Sequence, residues 1–340
     1  MNTPANVYQH EHPFTLEGGQ VLPRLDIAYH TFGTFDPKKN NVVWICHAFS
    51  ADSDPSDWWP GMVGEGKYFN PEAYFIVCAN ILGSCYGTTG PLSTNPETGT
   101  PYYRDFPVIT IRDIVGVLDL LRVHLKIEQI YFGLGFSMGG QQLLEWVIEK
   151  PGLFEHILLG ATNIRHSPWG IAFNESQRLA IEADSTFGEH TEHAGAKGMK
   201  AARSIGLLSY RNYQAYCKTQ EEPSNGNYDH FRASSYQSYQ GDKLVKRFNA
   251  YTYWILSKAM DSHNILRGRS EHPVDILGKI SAKTLVLGIS SDYLFPLTEQ
   301  KVLAYNIPES HFITIDSDFG HDGFLLEFEQ IKKILQGFLG

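Results

Sequence analysis

The sequence has little that would tie it to a disulfide framework, a nucleic acid or a membrane. Four of its 340 residues are cysteine, at positions 46, 78, 85 and 217, and no two form a Cys-x-x-Cys pair, which favours a reducing compartment. Lysine and arginine number 28 against 37 aspartates and glutamates, the formal net charge is −9, and no basic block is present. No stretch approaches the ~20 apolar residues of a membrane span, and the start lacks the basic and then apolar run of a signal peptide. We therefore expect a cytoplasmic protein that binds neither nucleic acid nor membrane.

Metal-ligand patterns are also missing. The 14 histidines include no His-x-x-x-His pair or comparable cluster on a helical pattern. We expect no metal site and no tightly bound cofactor. With 42% hydrophobic residues, the chain is instead rich enough in apolar side chains for a large globular core.

A serine motif stands out in the middle of the chain. Residues 135–139 read Gly-Phe-Ser-Met-Gly; an apolar strand pattern precedes them and a helical pattern over 141–148 follows. A serine on such a strand-to-helix turn has an exposed hydroxyl, and the glycines allow strand and helix to cross closely. Ser137 is therefore the candidate nucleophile. The alternative is a glycine-rich turn that only packs.

Strand and helix patterns alternate on both sides of this motif. Apolar runs over 42–46, 73–80 and 157–161 are typical of buried strands, and further strand patterns follow over 284–289 and 311–315. The alternation predicts an α/β fold, a mostly parallel sheet with helices on both faces. From 168 to 273 only helical patterns occur, over 172–183, 198–208 and 241–261. We expect a core of residues 1–167 and 274–340 with a helical lid inserted over 168–273.

A nucleophilic serine needs a base and an acid that orients the base. Asp292 follows the apolar run over 284–289 and is the favoured acid, with Asp316 and Asp318 as alternatives. His321 lies between the last strand pattern and the last helix and is the favoured base. Two further histidines, His311 and His272, remain alternatives. The order serine, acid, histidine is that of α/β-hydrolases.

An acyl-transfer site also requires N–H groups directed at the developing oxyanion. In an α/β-hydrolase one is the backbone N–H of the residue after the serine, here Met138. The other comes from the loop after an early strand, here Phe49. Ala48 or Ser50 could supply that second N–H instead.

Over nearly its full length the chain resembles the homoserine O-acetyltransferase family of α/β-hydrolases. The stretches that carry the resemblance are 30–33 (HTFG), 47–50 (HAFS), 80–91 (NILGSCYGTTGP), 106–113 (FPVITIRD), 135–140 (GFSMGG), 239–243 (YQGDK), 291–296 (SDYLFP) and 320–322 (GHD). Two departures are modest: Phe49 stands where leucine is more usual, and Phe136 where the family commonly has glycine. The first could narrow the acyl pocket.

The resemblance implies a ping-pong reaction, in which acetyl-CoA acetylates Ser137 and the acetyl group then passes to the hydroxyl of L-homoserine, a step toward methionine. It implies that Arg211, in the lid, and Asp322 bind the amino acid, which suits a substrate with a carboxylate and an ammonium group. It also implies a homodimer formed through the lid helices. Acetyl-CoA is then a co-substrate rather than a cofactor.

Several alternatives remain open from the sequence. Succinyl-CoA could replace acetyl-CoA, and L-serine could replace homoserine, because one methylene group is worth only ~1–3 kcal/mol of discrimination. Water could also accept the acyl group, which would make the protein an esterase or thioesterase. A non-catalytic interaction protein that keeps the fold is a further possibility, and the complete triad argues against it.

Overall fold

The computed structural model describes residues 5–224 and 226–340. Its strands are β1 (Asn6–His10), β2 (Phe14–Thr15), β3 (Val21–Leu22), β4 (Leu25–Phe32), β5 (Val42–Cys46), β6 (Phe75–Ala79), β7 (Ile130–Phe136), β8 (Phe154–Gly160), β9 (Lys283–Ile289) and β10 (His311–Ile315). Its helices are α1 (Pro55–Trp58), α2 (Ile111–His124), α3 (Met138–Glu149), α4 (Pro168–Glu182), α5 (Ala196–Tyr210), α6 (Tyr213–Gln220), α7 (Arg232–Val245), α8 (Ala250–Asp261), α9 (Pro273–Leu277), α10 (Leu297–Asn306), α11 (Gly323–Leu326) and α12 (Phe328–Leu339).

The described residues form one large sheet of eight strands in the order β1-β4-β6-β5-β7-β8-β9-β10. β1 and β4 are antiparallel to their neighbours, whereas the pairs from β6 through β10 are parallel. β2 and β3 form a separate hairpin. The carboxyl ends of the parallel strands therefore meet at one edge, where α/β proteins place their ligands.

Both faces of the sheet are covered, as the continuous apolar runs predict. All five residues of β5 are buried, and alternate residues belong to two different hydrophobic clusters. Trp44 lies in the cluster that includes residues of α2 and α3, and Ile45 lies in the one that includes residues of α12. The prediction of an α/β fold with helices on both faces is confirmed.

Within the described residues, every regular element from Pro168 to Leu277 is a helix. This segment coincides with the predicted lid over 168–273, whose function stays a prediction. One detail of the sequence interpretation is wrong: 241–261 is not a single helical segment, because α7 ends at Val245 and α8 begins at Ala250. The Asn249 side chain accepts the N–H of Thr252 at 2.8 Å and starts the new helix.

No helix in residues 5–224 and 226–340 is both long enough and apolar enough to cross a bilayer.

Candidate active site

Ser137 lies at the turn between β7 and α3 with φ 56° and ψ −127°, a conformation that is strained for a residue with a side chain. The neighbouring glycines make this turn possible. A Cβ at Gly135 would lie 2.2 Å from the carbonyl oxygen of Gly139, and a Cβ at Gly139 would lie 2.1 Å from that of Cys46. Both distances are far below van der Waals contact. The steric role that the sequence assigns to these glycines is thus visible in the backbone.

Asp292 and His321 form a buried pair. Asp292 Oδ2 lies 2.6 Å from His321 Nδ1, and both residues are 4% exposed. The other carboxylate oxygen, Oδ1, accepts the backbone N–H groups of Leu294 at 2.8 Å and Phe295 at 2.9 Å. The carboxylate is therefore fixed from both sides, and it holds the proton of the imidazole on Nδ1, which leaves Nε2 as the basic nitrogen.

The surroundings of His321 raise its pKa. Burial by itself lowers the pKa of the imidazole, but the charge of Asp292, its hydrogen bond and the nearby Asp322 outweigh that effect. The ring also stacks on Phe295, with centroids 5.0 Å apart, and packs edge-on against Phe324. The imidazole is consequently both oriented and poised to accept a proton.

The two other candidate acids and the two other candidate histidines lie outside this arrangement. Asp316 and Asp318 are exposed, and Asp316 accepts a hydrogen bond from Ser290. His311 is exposed at the start of β10, and His272 is exposed before α9.

A cavity of about 500 Å³ brings the predicted site residues together. Its wall includes Ser137, His321, Arg211 and Asp322. The volume lies in the usual range for small-molecule sites. Residues from the sheet edge and from α4, α5 and α7 thus enclose one space around the serine.

The loop after β5 lines the same cavity with all three residues considered for the second oxyanion donor, Ala48, Phe49 and Ser50. Met138 is the first residue of α3, so its N–H is among those that a helix start leaves without an intrahelical partner. The Phe49 ring is buried and packs edge-on against Tyr253, with centroids 4.9 Å apart. The assignment of Met138 and Phe49 to an oxyanion hole stays a prediction.

Arg211 and Asp322 are in contact with each other in the wall of the cavity. Arg211 Nε lies 3.1 Å from Asp322 Oδ2, although its N–H does not point at that oxygen well enough for a hydrogen bond. Burial raises the pKa of Asp322, and the charges of Arg211 and Arg203 partly oppose that shift. Both residues therefore line the cavity and contact each other, although their local sequence alone would suggest a solvated charge at a helix end for Arg211 and a helix cap for Asp322.

The cavity wall also contains residues that the sequence does not point to, among them Arg203, His166 and Gln177. Burial lowers the pKa of His166 to about 4, so this imidazole is neutral at physiological pH. Gln177 accepts a hydrogen bond from Tyr253 and donates one to the carbonyl of Phe173 at 2.8 Å. No local motif marks these residues: Gln177 and Arg203 reach the cavity through the packing of α4 and α5, and His166 reaches it from the loop between β8 and α4.

Within residues 5–224 and 226–340, no group of three or more histidines, cysteines, aspartates or glutamates is placed to hold a metal ion.

Known proteins are similar to this chain over most of its length. A family model described as "alpha/beta hydrolase fold" matches residues 41–328. A homoserine O-acetyltransferase from Cyclobacterium marinum is 47% identical over 98% of this chain and 94% of its own length.

Solved structures share the fold. The homoserine O-acetyltransferase from Staphylococcus aureus has 26% identity and a TM-score of 0.82, over 99% of this chain and 95% of its own. An acetylester hydrolase from Corynebacterium glutamicum, 23% identical, superposes with a TM-score of 0.86 over 98% and 95% of the two chains, which shows the fold alone. The chain belongs to the homoserine O-acetyltransferase family of the α/β-hydrolase fold.

Proposed function

We propose that the protein transfers an acetyl group from acetyl-CoA to the hydroxyl of L-homoserine, a step of methionine biosynthesis, through an acetyl-Ser137 intermediate. The observation that carries this proposal is a single cavity that holds Ser137, His321, Arg211 and Asp322. The first two supply acyl-transfer chemistry, and the last two offer opposite charges to an amino acid. The names of the relatives point to the same reaction.

In the first half-reaction His321 Nε2 takes the proton of the Ser137 hydroxyl while Oγ attacks the thioester carbonyl. Asp292 keeps the imidazole in the required tautomer and stabilises the imidazolium that forms. The backbone N–H groups of Met138 and Phe49 receive the oxyanion. The C–S bond then breaks, the thiol of CoA leaves with the proton from His321, and acetyl-Ser137 remains.

In the second half-reaction the homoserine hydroxyl gives its proton to His321 and attacks the acetyl carbonyl. The Arg211 guanidinium binds the substrate carboxylate, and Asp322 binds the ammonium group. The existing Arg211–Asp322 contact holds the two side chains together in the wall of the cavity that contains Ser137. Collapse of the tetrahedral intermediate releases O-acetylhomoserine and returns the proton to Ser137.

The helical segment 168–273 acts in this proposal as a lid that places the amino acid and excludes water. It supplies Arg211 and much of the cavity wall, including Phe173 and Gln177. Exclusion of water favours a transferase over an esterase, because water competes with homoserine for the acyl-enzyme.

The same lid is the proposed contact of a homodimer. Trp169, Leu208 and Tyr213 of the lid, together with Tyr293 of the core, line an apolar groove, and each is more than half exposed in the single chain. We propose that a second copy covers this groove, and light scattering should then give the mass of a dimer.

We place the enzyme in the cytoplasm, which suits four cysteines that are all free thiols.

Rapidly quenched incubation with acetyl-CoA alone tests the mechanism. Mass spectrometry is expected to find one acetyl group on the peptide that carries Ser137, and none in the Ser137→Ala variant. Adding L-homoserine should discharge the adduct and yield O-acetylhomoserine. An adduct that loses acetate at the same rate with and without homoserine would identify a hydrolase instead.

A matrix of acetyl-CoA and succinyl-CoA against L-homoserine and L-serine tests the substrates. The highest kcat/KM is expected for acetyl-CoA with homoserine. A higher value for any other pair would reassign the donor or the acceptor.

A further inference from the structure

The family-like stretch over 239–243 has no role in the mechanism above, yet it ends beside the active site. Gly241 and Asp242 connect α7 to α5: a Cβ at Gly241 would lie 2.8 Å from the carbonyl oxygen of Lys200, and Asp242 Oδ1 lies 2.8 Å from Lys200 Nζ. The next residue, Lys243, lines the cavity that contains Ser137. The close α5–α7 packing thus fixes where Lys243 emerges.

Lys243 is a cation without a protein partner. Its side chain is exposed and makes no hydrogen bond or ion pair with any other residue in 5–224 and 226–340. A chain with a formal net charge of −9 has acidic groups to spare for pairing, and Lys200 on the adjacent helix does pair with one. A lysine in the last turn of a helix can simply complement the helix dipole, and Lys246 just beyond α7 could do the same. Only Lys243 of these two lines the cavity.

Arg247 presents further donors beside Lys243. One terminal nitrogen, NH1, donates to the Ser50 carbonyl at 2.6 Å and to the Tyr86 hydroxyl. Nε and the second terminal nitrogen have no hydrogen-bond partner among the described residues. The guanidinium is therefore anchored on the loop after β5, with donors left over.

Burial changes along the cavity wall from its floor to its rim. Ser137, His321 and His166 are at most 5% exposed, whereas Lys243 and Arg247 are exposed. The volume of about 500 Å³ suits a drug-sized group, which covers an acetyl-pantetheine end and an amino acid but not a whole nucleotide. With the thioester at Ser137, the phosphates of CoA have to lie toward the rim.

We propose that Lys243, together with Arg247, binds the phosphate groups of the acyl-CoA donor at the rim of the active-site cavity. The inference rests on the proposed use of acetyl-CoA. Two carboxylates, Asp52 and Asp57, line the same cavity from the loop after β5 and from α1. They repel phosphate, so the phosphates are expected next to the exposed cations of the wall, Lys243 and Arg247. Its pyrophosphate and 3′-phosphate accept the hydrogen bonds that Lys243 and Arg247 have free.

The test compares acetyl-CoA with acetyl-pantetheine, a donor that has the same thioester but no phosphate. Lys243→Gln is expected to raise KM for acetyl-CoA about 1.5-fold to fivefold, the range for a charge contact at a solvent-exposed rim. Lys243→Glu should raise it further. KM for acetyl-pantetheine should stay at the wild-type value in both variants. The matched control Lys246→Gln removes the same charge from a residue that does not line the cavity, and it should change neither constant.

Ionic strength supplies a second measurement. KM for acetyl-CoA should rise with added salt in the wild type, because salt screens the attraction between Lys243 and phosphate. It should rise less steeply in Lys243→Gln, which lacks that attraction. Equal KM values for acetyl-CoA in wild type and both Lys243 variants would overturn the inference. So would an equal rise for the two donors, or the same rise in Lys246→Gln. A wild-type protein that makes no O-acetylhomoserine from either donor would instead refute the proposed function.

Discussion

Asp292 holds His321 from one carboxylate oxygen and is itself held by two backbone N–H groups through the other. Asp292→Asn keeps the shape of the side chain but lets its amide donate to Nδ1, which stabilises the wrong tautomer of His321. We expect kcat to fall by about 10³–10⁴, with a smaller change in KM.

The matched control for that variant is Asp316→Asn, which makes the same change at the exposed candidate acid in the loop after β10. Its steady-state rate should stay within about twofold of the wild type, as for surface substitutions. A large loss in Asp316→Asn together with near-normal activity in Asp292→Asn would move the acid to position 316.

The pH dependence of acetyl transfer should follow the neutral form of His321. Its pKa is raised, because Asp292 and Asp322 outweigh burial, so the protonated, inactive form persists above the ordinary range of histidine. kcat/KM should therefore rise with pH through a midpoint above 6.5, the ordinary value for histidine. A midpoint below 6.5 would contradict this assignment.

Glu299 is a second group near the triad whose pKa is raised. Burial raises its pKa to about 7, the hydrogen bond from Asn163 at 2.9 Å opposes that shift, and the charge of Asp292 adds to it. Measuring the pH profile of Glu299→Gln separates the two groups. The midpoint that belongs to His321 should remain in this variant.

The sequence predicts the chemical centre well because the three triad residues follow strand patterns directly. Each of Ser137, Asp292 and His321 lies just beyond the carboxyl end of a parallel strand, and such ends meet at one edge of a sheet. A correct strand order is not even needed to predict that they converge. Their local turn residues, above all the glycines around Ser137, add independent support.

The amino-acid end of the cavity cannot be predicted in the same way. Arg203 and Gln177 reach it through the packing of α5 and α4, and His166 reaches it from the loop between β8 and α4. Nothing in the neighbouring residues distinguishes the three from ordinary helix or loop residues. Arg211 and Asp322 could be named only through the family resemblance. The helical pattern over 241–261 does not reveal the break between α7 and α8, because the signal for that break is a single capping residue, Asn249, within the longer pattern.

Arg211→Gln should weaken the binding of homoserine in the second half-reaction and leave the first half-reaction, acetylation of Ser137, largely unchanged. The lost guanidinium contact to the substrate carboxylate is worth about 1.5–3 kcal/mol, so KM for homoserine should rise about 10- to 100-fold. Acetylation of Ser137 by acetyl-CoA, followed by rapid quench, should change by a much smaller factor because the acceptor takes no part in it.

Arg211→Lys discriminates further, since it keeps the charge but loses the two-pronged geometry. It should recover only part of the affinity for homoserine. The control Arg232→Gln removes an exposed arginine at the start of α7, which does not line the cavity, and should leave KM unchanged. Equal KM values in wild type and Arg211→Gln would exclude Arg211 from carboxylate binding.

The crossing of β7 and α3 should not tolerate a methyl group at Gly135. Its Cβ would lie 2.2 Å from the Gly139 carbonyl oxygen, which belongs to rigid backbone, so Gly135→Ala should lower the free energy of unfolding by about 1–3 kcal/mol. The displaced turn should also abolish acetylation of Ser137. Gly337→Ala in α12 is the control: apart from its chain neighbours and the nearby backbone of its own helix, no atom of the described residues lies within 4 Å of its Cβ, and helix propensity should stabilise it by about 0.4–1 kcal/mol. Urea unfolding measures both, and equal stability of the two variants would refute the steric argument.

Acid should destabilise the fold through two buried neutral histidines. Burial lowers the pKa of His263 to about 3 and that of His166 to about 4, while the unfolded chain binds their protons near 6.5. The unfolded state therefore holds more protons as pH falls from about 6.5 towards 4, and stability must fall with it.

Each such group adds about 1.4 kcal/mol of lost stability per pH unit once its unfolded form is protonated. His263→Gln removes one of them, so its unfolding free energy should decline less steeply between pH 6 and pH 4 than that of the wild type, whatever its absolute stability. His193→Gln changes a histidine whose side chain is 85% exposed and should keep the wild-type slope. Carboxylates and His321, whose raised pKa acts in the opposite direction, contribute equally to all three proteins and cancel in the comparison. Parallel slopes for wild type and His263→Gln in urea titrations would show that His263 accepts a proton in the native state.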